Sequence, residues 1–284
     1  MKFYSPLRYP GGKNKLAKFI ALICERNNIN GHYVEPYAGG ASVALFLLFN
    51  GYVSKITIND IDRSIYAFWY AVLNNTDKLC ELIKETEVNI ENWKLQREIQ
   101  KNKRKVSLLK LGFSTFFLNR TNMSGVINAG ITGGLKQNGK YKMDCRFNKE
   151  ALILRIRKIS RHKKEIYLYN LDALDLIKKI EKKSKNLQTI FYFDPPYYLK
   201  GQFLYTNYYK HDDHREISEA IQKMKNSRWI VSYDSVPEIK NLYKGFKKIE
   251  YSFFYTAYKL KSGNEILFFD RNLIIPRIQN PVKI

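Results

Sequence analysis

Residues 191 to 198 read FYFDPPYY, an acid and two prolines set among aromatic rings. Phe191, Tyr192 and Phe193 have the character of a buried parallel strand. Pro195 and Pro196 cannot continue its hydrogen-bond ladder, so the strand must stop at Asp194. Ligands bind at the carboxyl edge of an open α/β sheet, and prolines there would fix the directions of the Asp194 carboxylate and the Pro195 carbonyl. A stiff turn capped by aromatics uses the same residues. Other stations along the chain must decide between the two.

One lies near the start, in LRYPGGKNKLAKFI, residues 7 to 20. Gly11-Gly12-Lys13 looks like the tail of a phosphate-binding loop, but Leu7 stands where that loop needs glycine and Asn14 follows the lysine, so a nucleoside triphosphate site is not expected. The glycines would let backbone approach a ligand while Lys13 pairs with a carboxylate, or the segment is a solvated turn. Another is VEPYAGGAS, residues 34 to 42, a glycine-containing turn that is not GxGxxG. Asp60 follows it at the end of the next expected strand, where it could accept hydrogen bonds from ribose hydroxyls or could cap a helix.

The elements that must position these residues follow from periodicity. A strand around Tyr33 and Val34, a helix from about Ser42 to Phe49 and a strand in KITIND make a β-loop-α-β unit over residues 31 to 60. From about Ser64 to Lys110 the pattern is helical, with a basic stretch of Lys94, Arg97, Lys101, Lys103, Arg104 and Lys105, each also compatible with a solvated face. Residues 119 to 141, rich in Asn, Gly and Thr, read as loops and a hairpin. A helix over KEALILRIRKI restores the alternation, followed by the strand, acidic turn and helix of EIYLYNLDALDLIKKI and by the strand ending at Asp194. A helix near 213 to 225, the strand RWIVSYD and a terminal antiparallel hairpin complete the chain. The sum is an α/β, doubly wound sheet over residues 1–64 and 148–284, interrupted by a mostly helical insertion over 65–147.

The chain has 284 residues, 45% of them hydrophobic, enough for a real core. Its 49 Lys and Arg against 26 Asp and Glu give +23, which points to a polyanionic partner, and its 21 Tyr offer rings that stack on bases. Cys24, Cys80 and Cys145 form no CxxC pair, so neither disulfides nor zinc are indicated. No secretory h-region and no apolar run of membrane-spanning length is present, which gives the expectation of a cytoplasmic protein away from membranes.

Taken in order, YPGGK, VEPYAGGAS, INDID, FDPPYY, VSYDS and GNEILFFDR resemble the Dam-like, D12 class of DNA adenine-N6 methyltransferases over nearly the whole chain. The resemblance implies a Rossmann-like fold that binds S-adenosylmethionine, with Tyr9 and Lys13 at the cofactor, Asp60 at its ribose and Asp194 between cofactor and base. The insertion then becomes the target-recognition domain on double-stranded DNA. Adenine N6 is a poor nucleophile because its lone pair is delocalised. Asp194 and the Pro195 carbonyl could accept its two hydrogens and turn that pair toward the methyl group, with Pro196 helping to hold the geometry. Tyr197 could stack on the flipped base. This chemistry requires no metal.

Within the insertion, Arg120 and Asn122 are candidates for base-edge readout, since Arg pairs with guanine and Asn with adenine. Members that methylate GATC carry an NGLxR-like stretch after the NR pair, whereas this chain has SGVINAG, so the target sequence stays open. An RNA adenine methyltransferase is the alternative reading. The role could be solitary or paired with a restriction endonuclease.

Overall fold

The computed structural model describes residues 4–8, 13–184, 187–199, 209–255 and 261–284. In chain order the strands are β1 (His32–Glu35), β2 (Lys55–Asn59), β3 (Ile166–Tyr169), β4 (Thr189–Phe193), β5 (Arg228–Asp234), β6 (Lys247–Tyr255) and β7 (Lys261–Phe269). The α-helices are α1 (Ala17–Arg26), α2 (Ser42–Phe49), α3 (Arg63–Asn74), α4 (Thr76–Glu85), α5 (Ile90–Lys101), α6 (Leu108–Thr121), α7 (Lys149–Arg161), α8 (Ala173–Glu181), α9 (His211–Gln222) and α10 (Pro237–Leu242). Two compact units divide them: an α/β unit of residues 13–61 and 171–284, and a mostly helical unit of residues 1–12 and 62–170.

In the α/β unit six strands lie in the order β2-β1-β4-β5-β7-β6. The first four are parallel, and β7 runs antiparallel between β5 and β6, forming the expected terminal hairpin. Every residue of β4 is buried, as a strand covered on both faces requires. From β1 the sheet grows to β2 on one side and to β4 on the other, so the order reverses beside β1 and a crevice opens at the carboxyl ends of β1 and β4. This is the doubly wound, Rossmann-like arrangement. Helix α2 is apolar along its length, and Val43, Ala44, Leu45, Leu47 and Leu48 are all buried.

The helical unit is built around α6, which packs against α3 and α5, while α7 packs against α3 and α4. Ala67, Ile99 and Leu111 form a core cluster. Gly112 permits the α3–α6 approach, because a Cβ there would sit 2.4 Å from the Ala67 carbonyl oxygen. Phe68 stacks on Phe116 at 6.0 Å, and Phe147 meets Phe116 and Phe117 edge-on, each at 5.4 Å.

One local expectation changes. Asn119, Arg120 and Thr121 belong to the last turn of α6 rather than to a loop, because burial of Phe113, Phe116 and Phe117 carries the helix past its polar residues. An antiparallel bridge between Asn122 and Ile131 is the paired part of the expected hairpin. Helix α10, with Pro237 at its start, had no clear periodic signal. Among the described residues no helix is long and apolar enough to cross a membrane.

Candidate active site

Asp194 follows β4 directly and lies at the strand-end crevice. Its Oδ1 accepts a hydrogen bond from Ser232 Oγ at 2.6 Å and lies 3.4 Å from the Lys13 ammonium. Ser232 is itself held by Tyr192, whose hydroxyl donates to it at 2.9 Å. Burial pushes the Asp194 carboxyl above its ordinary range, while Lys13 and Ser232 pull it back.

Lys13 is 5% exposed and Glu265 is 2% exposed. The ammonium donates to the Tyr197 hydroxyl at 2.7 Å and to Glu265 Oε1 at 3.0 Å, and it sits 4.9 Å from the Tyr197 ring centre. Tyr197 and Tyr251 each donate a hydroxyl to the same Glu265 carboxylate. Burial alone would lower the Lys13 pKa, but Asp194 and Glu265 outweigh it and hold the ammonium well above its ordinary value. One cation thus joins the DPPY segment to β7.

The segment after the prolines is pinned from β5. Asp234 accepts from the backbone N–H of Tyr198 at 2.9 Å through Oδ1 and of Leu199 at 3.1 Å through Oδ2. Ser232 and Asp234 are two residues apart on one strand and share a face. Nearby, Tyr198, Tyr209 and Tyr233 surround His214 with ring centres 5.2, 5.3 and 5.5 Å away. Burial lowers the His214 pKa to about 4, so this ring is neutral at pH 7.

On the other side of the switch point, the loop from β1 to α2 passes through left-handed backbone at Gly39 (φ 44°) and Ala41 (φ 46°). Asp60 accepts from Gly39 N at 3.1 Å through Oδ2. The helix-cap alternative belongs to Asp62, which accepts from Ser64 N at 2.9 Å at the start of α3. Asn59 staples three segments: its amide donates to the Pro36 and Leu171 carbonyls at 2.9 and 3.0 Å, and its Oδ1 accepts from Leu171 N at 2.9 Å. Glu35 accepts from Ala44 N at 3.0 Å and from the Tyr33 hydroxyl at 3.1 Å. Its burial raises the carboxyl to about 8.

The structure therefore brings Lys13, Asp194, Pro195, Pro196 and Tyr197 together, with Asp60 at the end of β2 in the same unit. Tyr9 lies outside the described residues. Arg120 and Asn122 are in the helical unit. Asn122 is 0% exposed, accepts from Trp93 Nε1 at 2.7 Å and donates to the Val126 and Ile127 carbonyls at 3.1 and 2.8 Å. Its amide is engaged by the local chain. Ser232, Asp234, Glu265, Glu35 and Asn59 were not singled out from the sequence. The acid in VEPY and the polar residues ending KITIND and RWIVSYD were visible, but Glu265 reaches the site only through antiparallel register, opposite Asp234 and Tyr251.

The family described as D12 class N6 adenine-specific DNA methyltransferase matches residues 9–257. The Type II methyltransferase M.MjaIII of Methanocaldococcus jannaschii is 24% identical over 262 residues, covering 84% of this chain and 88% of that protein. Among solved structures, an S-adenosylmethionine-dependent methyltransferase of Agrobacterium tumefaciens aligns at a TM-score of 0.43 and 9% identity, over 90% of this chain and 61% of its own. The chain thus spans about three fifths of that protein. The rRNA methyltransferase aviRa of Streptomyces viridochromogenes aligns at 0.38 and 10% identity, over 88% of this chain and 83% of its own.

Proposed function

The chain belongs to the D12 class of N6 adenine-specific DNA methyltransferases, and from that membership we propose that it transfers a methyl group from S-adenosylmethionine to N6 of an adenine flipped from double-stranded DNA. The observation that carries the mechanism is the Asp194 carboxylate, set at the end of β4 beside two prolines and held by Ser232 and Lys13.

The residues at the crevice suit this cofactor. A carboxylate at the end of β2, Asp60, matches a ribose diol, and it holds the left-handed turn at Gly39 and Ala41 through the Gly39 N–H. An acidic residue at β4 matches a sulfonium cation. When bound, S-adenosylmethionine supplies an activated methyl group on a positively charged sulfur.

Asp194 and the Pro195 carbonyl accept the two hydrogens of adenine N6, which favours a nitrogen whose lone pair faces the methyl donor. Asp194 must be ionised to accept in this way, and Lys13 keeps it so. Lys13 then acts as a positioning residue on Asp194 and Tyr197, rather than as a partner for the cofactor's own carboxylate. Pro196 stiffens the segment, and the Asp234 clamp on Tyr198 and Leu199 holds its exit. Tyr197, buried with its hydroxyl tied to Lys13 and Glu265, is the ring assigned to stack on the flipped base once that base enters the site.

The family names DNA, so an RNA substrate is not favoured. The Type II relative supports a modification role, paired in function with an endonuclease or solitary. The test is Asp194→Ala: duplex binding should persist while methyl transfer falls by about 100-fold or more. Full activity in that variant would overturn the mechanism.

A further inference from the structure

Arg120, on the last turn of α6, is 8% exposed, and its buried Nε has no hydrogen-bond partner. Among the described residues no ion pair involves Arg8, Arg120, Arg146 or Arg155. Among the described residues the charged groups that act on Arg120 are cations. Burial, together with Arg155, Arg8 and Arg146, lowers its guanidinium to about 9, and burial and Arg146 likewise lower that of Arg8.

Neutral contacts hold this cluster together. Asn119 Oδ1 accepts from Arg8 N at 2.7 Å, and its amide donates to the Arg8 and Gly125 carbonyls at 2.6 and 2.7 Å. Gly125, at φ 77°, lets the Arg8 segment approach, since a Cβ there would lie 2.5 Å from the Arg8 oxygen. Arg155 on α7 donates to the Ser5 carbonyl at 3.3 Å. Phe147, next to Arg146, packs on Phe116 one turn before Arg120.

A desolvated guanidinium without counter-charge is costly to keep, which points to an anion supplied from outside the chain. Several arginines converging on one place need a group that carries charge and several acceptor oxygens, as a phosphate does. A guanine edge can accept one arginine, but it is neutral and offsets none of the surrounding charge.

We propose that Arg120, with Arg8, Arg146 and Arg155, forms a pocket for one backbone phosphate of the DNA substrate, so that Arg120 fixes the register of the duplex instead of reading a base edge. This rests on the reading that duplex DNA is the substrate. Arg146 and Arg8 supply the outer part of the pocket, and Arg120 its enclosed end.

The test is equilibrium binding of two duplexes across a salt series, one carrying the motif that the wild type methylates and one altered in that motif. Wild type, Arg120→Met and Arg146→Gln are compared. Arg146 is exposed, so its variant reports even if Arg120→Met folds poorly. The expected result is a loss of roughly tenfold or more on both duplexes alike and a salt slope shallower by about 0.9 for each phosphate no longer neutralised. The melting temperature of Arg120→Met without DNA should rise, because an uncompensated buried charge is gone. Relaxed preference at one base pair with an unchanged slope would overturn the proposal in favour of base readout. Unchanged binding in both variants would also overturn it, as would inorganic phosphate stabilising wild type alone while duplex binding is unaffected. A wild type that neither binds nor methylates either duplex would fail earlier, at the DNA reading itself.

Discussion

At the scale of single residues, the site is a problem in keeping acids charged or uncharged inside a protein. Asp194 is raised by burial and restrained by Lys13 and Ser232. Its protonated form is a weaker, uncharged acceptor for the one N6 hydrogen it takes, so kcat/KM should fall as pH falls, with a midpoint above the ordinary value of 3.8. Lys13→Met removes the restraint and should move that acid limb to higher pH in a pH–rate profile. An unmoved limb would separate Lys13 from Asp194. Deleting one member of a buried ion pair should also destabilise the fold by about 3–5 kcal/mol. Glu35 behaves in the opposite sense, as a buried acid kept neutral. Its folded pKa of about 8 exceeds its ordinary 4.5, so the stability it gives is full below 4.5 and is lost as pH rises through about 8. Glu35→Gln should flatten melting temperature against pH across that window, because the amide oxygen can still accept from Ala44 N and Tyr33. A variant curve as steep as wild type would contradict this.

At the scale of elements, strand ends and the loops that leave them do most of the positioning. Asn59 joins the loops after β1 and before α8 through bonds to Pro36 and Leu171. It is 1% exposed, so Asn59→Ala leaves buried backbone groups unsatisfied and should cost about 1–3 kcal/mol in denaturant unfolding. A cost near zero would mean the loops are held by other contacts. Much of this architecture was legible in the chain. The helix from Ser42 to Phe49 and the strand ends at Asp60, Asp194 and Asp234 follow from apolar runs stopped by polar or proline residues, a local signal. Glu265 was hidden because its role depends on which strand lies opposite β7, and pairing between distant segments leaves no local mark. The end of α6 was misread for a related reason. Asn119 and Thr121 have loop-forming side chains, but burial of Phe113, Phe116 and Phe117 overrides that preference, and Thr121 Oγ1 returns its bond to the Phe117 carbonyl at 2.9 Å.

At the scale of the whole molecule, charge is unevenly shared. Residues 1–12 and 62–170 carry 24 Lys and Arg against 10 Asp and Glu, a net +14 of the total +23. That excess belongs to the unit that holds the arginine cluster and the basic stretch beginning at Lys94, while the residues proposed to carry methyl transfer lie in the α/β unit. Duplex affinity should therefore drop steeply with salt, as for any protein that displaces several counterions. The central claim is adenine-N6 methylation of DNA at Asp194, and it is tested most directly by incubating the purified protein with S-adenosylmethionine and unmethylated genomic DNA and mapping modified bases by single-molecule sequencing. The expected result is N6-methyladenine at one recurring motif with wild type and its absence with Asp194→Ala. Unmodified DNA in a tube where the cofactor binds and RNA becomes methylated would contradict the claim.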